Sequence, residues 1–301
     1  MKLFPRSLGI IALVACLVAG ASAIREKLPP AIRELIPVFH EKTKSPASKG
    51  TRSTRPKGGE TVSNDSRETY WPGLPVSARE KLIKITHTGH TVGYSTKAFS
   101  PAWAAYAIKA VTNPVSAKRP DTFMPDPALP VAYQVSTNEY TRTGYDRGHM
   151  APNWAVSVSY GREAQIETFY TSNIAPQEPE LNRGIWEALE RIEANDYARR
   201  YDGVVCFDGP IYDAGSTAGL GKNNRIRIPG GFFKIIVRRV KGQVAVLALI
   251  LPQSARGDGK SLSNYLVSVN EIERKTGLDF LTALPAAQQA ALESTAAERM
   301  W

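Results

Sequence analysis

Strand-like apolar runs and helical segments follow one another along this chain without a regular strand–helix–strand beat. That irregular order limits the fold more than any other feature of the sequence. The clearest helix spans residues 182–200 (NRGIWEALERIEANDYARR), where Ile185, Leu189 and Ile192 fall on one stripe with Trp186 beside it. Around it stand runs that read as strands: residues 84–86 and 91–96 either side of a Thr88-Gly89 turn signal, then 101–111, 203–207, 231–240 and 244–251. The last is continuously apolar, as expected of a strand in the middle of a sheet. Residues 263–276 read as a late helix stopped by Gly277, and 286–300 as an Ala-rich peripheral helix. The stretch 112–132 is crowded with prolines and charges and reads as a long loop; 163–169 fits helix or strand. Such a mixture predicts an α+β fold with an antiparallel sheet flanked by helices.

Composition supports a folded body of ordinary size. Of 301 residues, 43% are hydrophobic, enough for a real core. The formal net charge of +10 favours an anionic partner, nucleic acid or an acidic membrane surface. A basic protein with solvated lysine-rich ends fits that surplus equally well. At the N-terminus, Lys2 and Arg6 precede an apolar run that closes on Ala21-Ser22-Ala23. This reads as a signal peptide over 1–23, removed on export to the periplasm or the outside. Retention as a membrane anchor, or lipidation at Cys16, are the alternatives. With the leader removed, only Cys206 remains, inside a strand-like run, so an internal disulfide and a thiolate metal site are both excluded. Residues 24–68 read as a flexible basic linker with room for a short helix at 28–40. From 41 to 68 there is almost no large apolar side chain to offset the entropy of ordering. A folded domain over 69–285 and a helical tail over 286–301 complete the expected organisation.

Two segments carry chemistry. In Tyr145-Asp146-Arg147-Gly148-His149-Met150-Ala151-Pro152-Asn153, His149 is the one histidine of four set among Asp, Arg and Gly. A neutral imidazole can take a proton from water near neutral pH; an ion pair beside a structural histidine is the plainer reading. The second segment joins Ser172-Asn173-Ile174-Ala175-Pro176-Gln177 to Leu181-Asn182-Arg183-Gly184-Ile185-Trp186. Asn182 opens the helix, where an N-cap is its ordinary role. Glu190 follows eight residues later. On a regular helix that places it about 80° around and about 12 Å along the axis, too far for both to grip one ion directly without a bridging water. His87 and His90 flank the turn signal with no acid nearby in sequence, and read as a surface turn.

Together these segments resemble the DNA/RNA non-specific endonuclease family, the ββα-metal (His-Me finger) nucleases. The resemblance covers roughly residues 70–276 and rests on the three blocks in matching order and spacing, with Gly209-Pro210 following a later strand. It implies a metal-dependent endonuclease that hydrolyses DNA and RNA with little sequence specificity. His149 then matches the general base and Asn182 the sole direct protein ligand of Mg²⁺, with Mn²⁺ as a substitute. Glu190 matches the acid holding a metal-bound water, and Asn173 the residue that orients histidine and substrate. Arg147 matches an arginine at the scissile phosphate; Arg119 matches, more loosely, a second phosphate-binding arginine. Homodimers occur in the family, and no stable membrane partner is implied once the signal is gone. Lys222, Arg225, Arg227, Lys234, Arg238 and Arg239 would extend a phosphate track or stand as solvated charges. Two other readings stand beside it: a non-catalytic binding module on the same fold, and a tethered surface protein whose linker binds anionic lipid or peptidoglycan.

Overall fold

Residues 72–301 are described by a computed structural model; the expected signal peptide, Cys16 and the expected linker lie outside them. The described strands, in chain order, are β1 (Val76–Ser77), β2 (Ile83–Thr86), β3 (His90–Ser95), β4 (Ser100–Ile108), β5 (Asp146–His149), β6 (Ile174–Gln177), β7 (Val204–Ile211), β8 (Gly219–Leu220), β9 (Ile226–Arg227), β10 (Gly231–Val240), β11 (Gln243–Pro252) and β12 (Leu278–Asp279). The helices are α1 (Asn153–Tyr160), α2 (Arg162–Glu167), α3 (residues 181–200), α4 (Val269–Thr276) and α5 (Ala286–Glu293).

Six strands build the central sheet, in the order β11–β10–β7–β4–β3–β2, and every pairing in it is antiparallel. The α+β expectation holds. Alternation along β10 sends Phe233, Ile235 and Val237 into one apolar layer and Phe232 and Ile236 into the other. The first layer is completed by Ile272, Phe280 and Leu281, the second by Ile185, Trp186 and Leu189 of α3. Each such side chain, fully buried, contributes on the order of 1.5–3 kcal/mol.

Two expectations about the sheet and its helices need correction. The apolar run of β11 lies at an edge of the sheet, not in its middle. It is apolar because Leu247, Leu249 and Leu251 face one layer and Ala248 the other, while Leu266 and Val267 bond to its outer side through Leu249 and Ala248. The same contact keeps residues 263–267 out of the late helix. That helix starts only after Ser268, whose hydroxyl accepts from the Glu271 amide, and stops at Gly277, which takes φ 72°. The C-terminal helix ends at Glu293, so the expected tail is helical only in its first half. Helix α1 was not anticipated.

Strands β5 and β6 form a separate antiparallel pair, with α1 and α2 in the connection between them, and α3 follows β6 directly. This β–β–α unit is what positions the site. Helix α3 is not regular: wide π-helical turns, Leu181–Trp186 and Glu193–Tyr197, flank α-helical Glu187–Ile192, and Gly184 leaves helical geometry at φ −111°, ψ −110°. The 3.6-residue arithmetic that set Asn182 and Glu190 on different faces therefore does not apply across this segment.

Candidate active site

The register of β5 on β6 pairs Asp146 with Gln177, Arg147 with Pro176, Gly148 with Ala175 and His149 with Ile174. Gly148 makes room there for the buried Gln177 side chain, which a Cβ at that position would force to shift. Along the strand, Arg147 and His149 share one face, and Phe123 lies under both, 5.3 Å from the imidazole centroid and 5.8 Å from the guanidinium carbon. Phe169 meets the imidazole edge-on at 4.9 Å, and Arg119 sits over that Phe169 ring at 5.2 Å. His149 Nε2 is buried and has no hydrogen-bond partner. Burial first, then the positive charge of Arg119, lowers the His149 pKa to about 3. The ring is thus neutral, set in an aromatic notch beside two arginines. Arg147 is fixed by a 2.6 Å bond to the Thr137 carbonyl and by the Tyr140 ring at 5.6 Å, and its Nε is buried without a partner.

On the other face of β5, Asp146 reaches α3. Its carboxylate accepts from Asn182 Nδ2 at 2.9 Å and from both forks of Arg183 at 2.6 and 2.8 Å. Asn182 is therefore no N-cap. With its amide nitrogen committed to Asp146, the amide oxygen is the atom left to face a cation. Glu190 lies further along α3, where burial raises its pKa to about 7 against the pull of the Lys234 ammonium. One amide oxygen and one carboxylate are hard oxygen donors of the kind Mg²⁺ or Mn²⁺ takes while keeping most of its waters, so the residues present fit such an ion.

Asn173 needs correction. It is fully buried, with Oδ1 accepting from the Ala151 amide at 2.8 Å and Nδ2 donating to the Ala151 and Thr168 carbonyls at 3.0 Å each. Its carboxamide is spent on backbone, so it cannot touch substrate. It braces the two residues that follow His149 in the chain, with its own carbonyl accepting from the Met150 amide at 3.0 Å.

The histidine turn is also not a surface feature. His87 bonds Asp126 at 3.1 Å and His90 is fully buried, because acids from the distant loop and from α2 fold over them. Of the expected phosphate track, Lys234 is fully buried and ion-paired with Asp208 and with Glu193. Arg225 pairs with Glu139, Arg227 stacks on Tyr212, and Arg238 on Tyr201 and Trp301. Sequence reasoning missed Phe123, Phe169 and Asp126 near the site. Phe169 borders the second signature block, but nothing in the sequence around Phe123 or Asp126 ties either to it.

Comparison with known proteins places this geometry in context. The sequence matches the DNA/RNA non-specific endonuclease family over residues 65–287. It is 30% identical over 233 residues to the mitochondrial nuclease EXOG of Xenopus laevis, covering 73% of this chain and 63% of that protein. It is 32% identical over 161 residues to mitochondrial endonuclease G of Homo sapiens, covering 50% and 53%. The chain spans less than two thirds of the length of these relatives. A crystal structure of an EndoG/EndoGI complex, concerned with EndoG inhibition, superposes with a TM-score of 0.66 at 24% identity, over 75% of this chain and 96% of that one. The relatives' names overturn the expectation of export to the periplasm or the outside: the matched relatives are mitochondrial nucleases. A basic N-terminal stretch free of acids up to Glu26 is common to export leaders and mitochondrial transit segments, so the sequence alone misled here.

Proposed function

The chain belongs to the DNA/RNA non-specific endonuclease family, and from that premise we propose that it hydrolyses internal phosphodiester bonds of DNA and RNA, with His149 as general base and a Mg²⁺ ion held by Asn182. The observation that carries the reading is that one strand, β5, bears both the His149 imidazole and the Asp146 carboxylate that orients the Asn182 amide.

The His149 imidazole accepts a proton from water as the water oxygen attacks phosphorus. The bond from phosphorus to the leaving sugar oxygen breaks, that oxygen takes a proton from a solvent water, and the imidazolium returns its proton to solvent, giving a phosphate monoester and an alcohol. Arg147 and Arg119 lie beside the imidazole, where guanidinium groups bind the non-bridging oxygens of phosphate in forked geometry. Asn182 would hold the metal directly and Glu190 through a water; when bound, Mg²⁺ neutralises charge on the phosphoryl and leaving oxygens. Asn is a neutral ligand and leaves the ion its full charge. The aromatic notch of Phe123 and Phe169 excludes bulk water from the base. Contacts of this sort address the backbone and carry little sequence information, in keeping with low specificity.

Nicking of supercoiled plasmid and digestion of RNA, with Mg²⁺ and with EDTA, test the proposal. His149→Ala is expected to lose about a hundred- to ten-thousand-fold in rate while remaining folded. Undiminished nicking by that variant, or nicking insensitive to EDTA, refutes it.

A further inference from the structure

On the face of the central sheet opposite α3, three carboxylates converge from separate elements: Glu273 of α4, Asp279 of β12 and Glu293 of α5. One oxygen from each lies within 4.8 Å of the other two. Glu293 is only 6% exposed, and its Oε1 is buried without any hydrogen-bond partner. Glu273 Oε1 accepts from the Phe280 amide at 2.9 Å, and Asp279 Oδ1 from the Gln289 side-chain amide at 2.9 Å. These bonds fix the two outer carboxylates and leave each a second oxygen. Among the described residues, no positively charged side chain is ion-paired to any of the three.

Three negative charges this close, one of them buried, must be balanced by a cation or by a proton. We propose that Glu273, Asp279 and Glu293 form a second divalent-cation site, of the Ca²⁺ class and distinct from the catalytic centre, that ties α5 to β12 and α4. Ligand type favours Ca²⁺ over Mg²⁺: Ca²⁺ accepts several carboxylates at once in a flexible shell, whereas Mg²⁺ demands near-ideal octahedral geometry and usually keeps most of its waters. The exposed carboxylate of Asp279 leaves room for the waters that complete the shell. The chemistry is structural: the cation joins the last helix to the strand pair β1–β12 and carries no step of phosphodiester hydrolysis.

Melting of the EDTA-treated full chain, with and without Ca²⁺ alone, separates this site from the catalytic one. Ca²⁺ at millimolar level is expected to raise Tm by about 5 °C in wild type and equally in Asn182→Ala. Calorimetric titration of Asn182→Ala should still show one Ca²⁺ site. Asp279→Asn and Glu293→Gln should each lose the rise and weaken that site at least tenfold. The two variants guard against one misfolding. A rise that is absent from wild type, that survives in both carboxylate variants, or that disappears only in Asn182→Ala overturns the assignment. A higher Tm of Glu293→Gln in EDTA, together with no Ca²⁺ response in wild type, would show that a shared proton does the balancing.

Discussion

His149 shows how much a single side chain takes from its surroundings. Burial against Phe123 and Phe169 and the charge of Arg119 lower its pKa to about 3, from an ordinary 6.5. The metal-free protein should therefore keep this ring neutral down to pH 5, read from imidazole carbon shifts; a midpoint near 6.5 contradicts the notch as described. Stability follows with a definite sign. Below pH 6.5 the unfolded chain takes up a proton that the folded ring refuses, so stability falls as pH falls from 6.5 toward 3. Between pH 6.5 and 5 that loss is about 2 kcal/mol for one such group, and His149→Gln should remove it in urea titrations. An unchanged acid slope would mean the ring is solvated. His149 and Asn182 were legible because their motifs are local. Lys234 was not, because its partners Asp208 and Glu193 come from β7 and α3. Replacing it with Met should cost about 3–5 kcal/mol by leaving those carboxylates without their cation, and a loss under about 1 kcal/mol would show that protonation replaces it.

At the level of elements, the site depends on how β5 is joined to α3. Asp146 is the joint: one carboxylate holds the Asn182 amide and the Arg183 guanidinium. Asp146→Ala should free the amide to rotate and raise the Mg²⁺ needed for half-maximal activity about ten- to a hundredfold, with much of the rate restored at high Mg²⁺. An unchanged Mg²⁺ dependence would show that α3 alone orients Asn182. Most strands could be read from the sequence, β2 and β3 from alternation and β10 from its run of apolar residues. The position of β11 could not, because an edge strand whose outer side is covered by residues 266–267 is as apolar as a central one. Helix α1 escaped notice because it lacks a clean polar face: Ala155 and Val156 are buried while Trp154 is exposed. The wide turn at the start of α3 has no sequence signature, so a regular helical wheel does not describe the stretch from Asn182 to Glu190.

Residues 72–301 form a sheet with an apolar layer on each face, one backing the β–β–α unit and the other carrying the three-carboxylate cluster. The charge of +10 on the whole chain acts at this scale. Several arginines are spent on internal pairs, Arg225 on Glu139 and Arg256 on Glu178 among them. The remaining surplus still favours a polyanion, and kcat/KM on DNA should fall linearly with salt on logarithmic axes. A flat salt response would sever charge from substrate capture. The central claim is geometric: an Asn182-held ion and the His149 imidazole flank one phosphate. Paramagnetic broadening tests it without reference to activity. With Mn²⁺ and a short DNA duplex bound, carbon-labelled His149 should lose its ring signal, His87 should broaden less, and Asn182→Ala should restore the His149 signal. A His149 resonance untouched by Mn²⁺ in wild type, with DNA bound, would contradict the account.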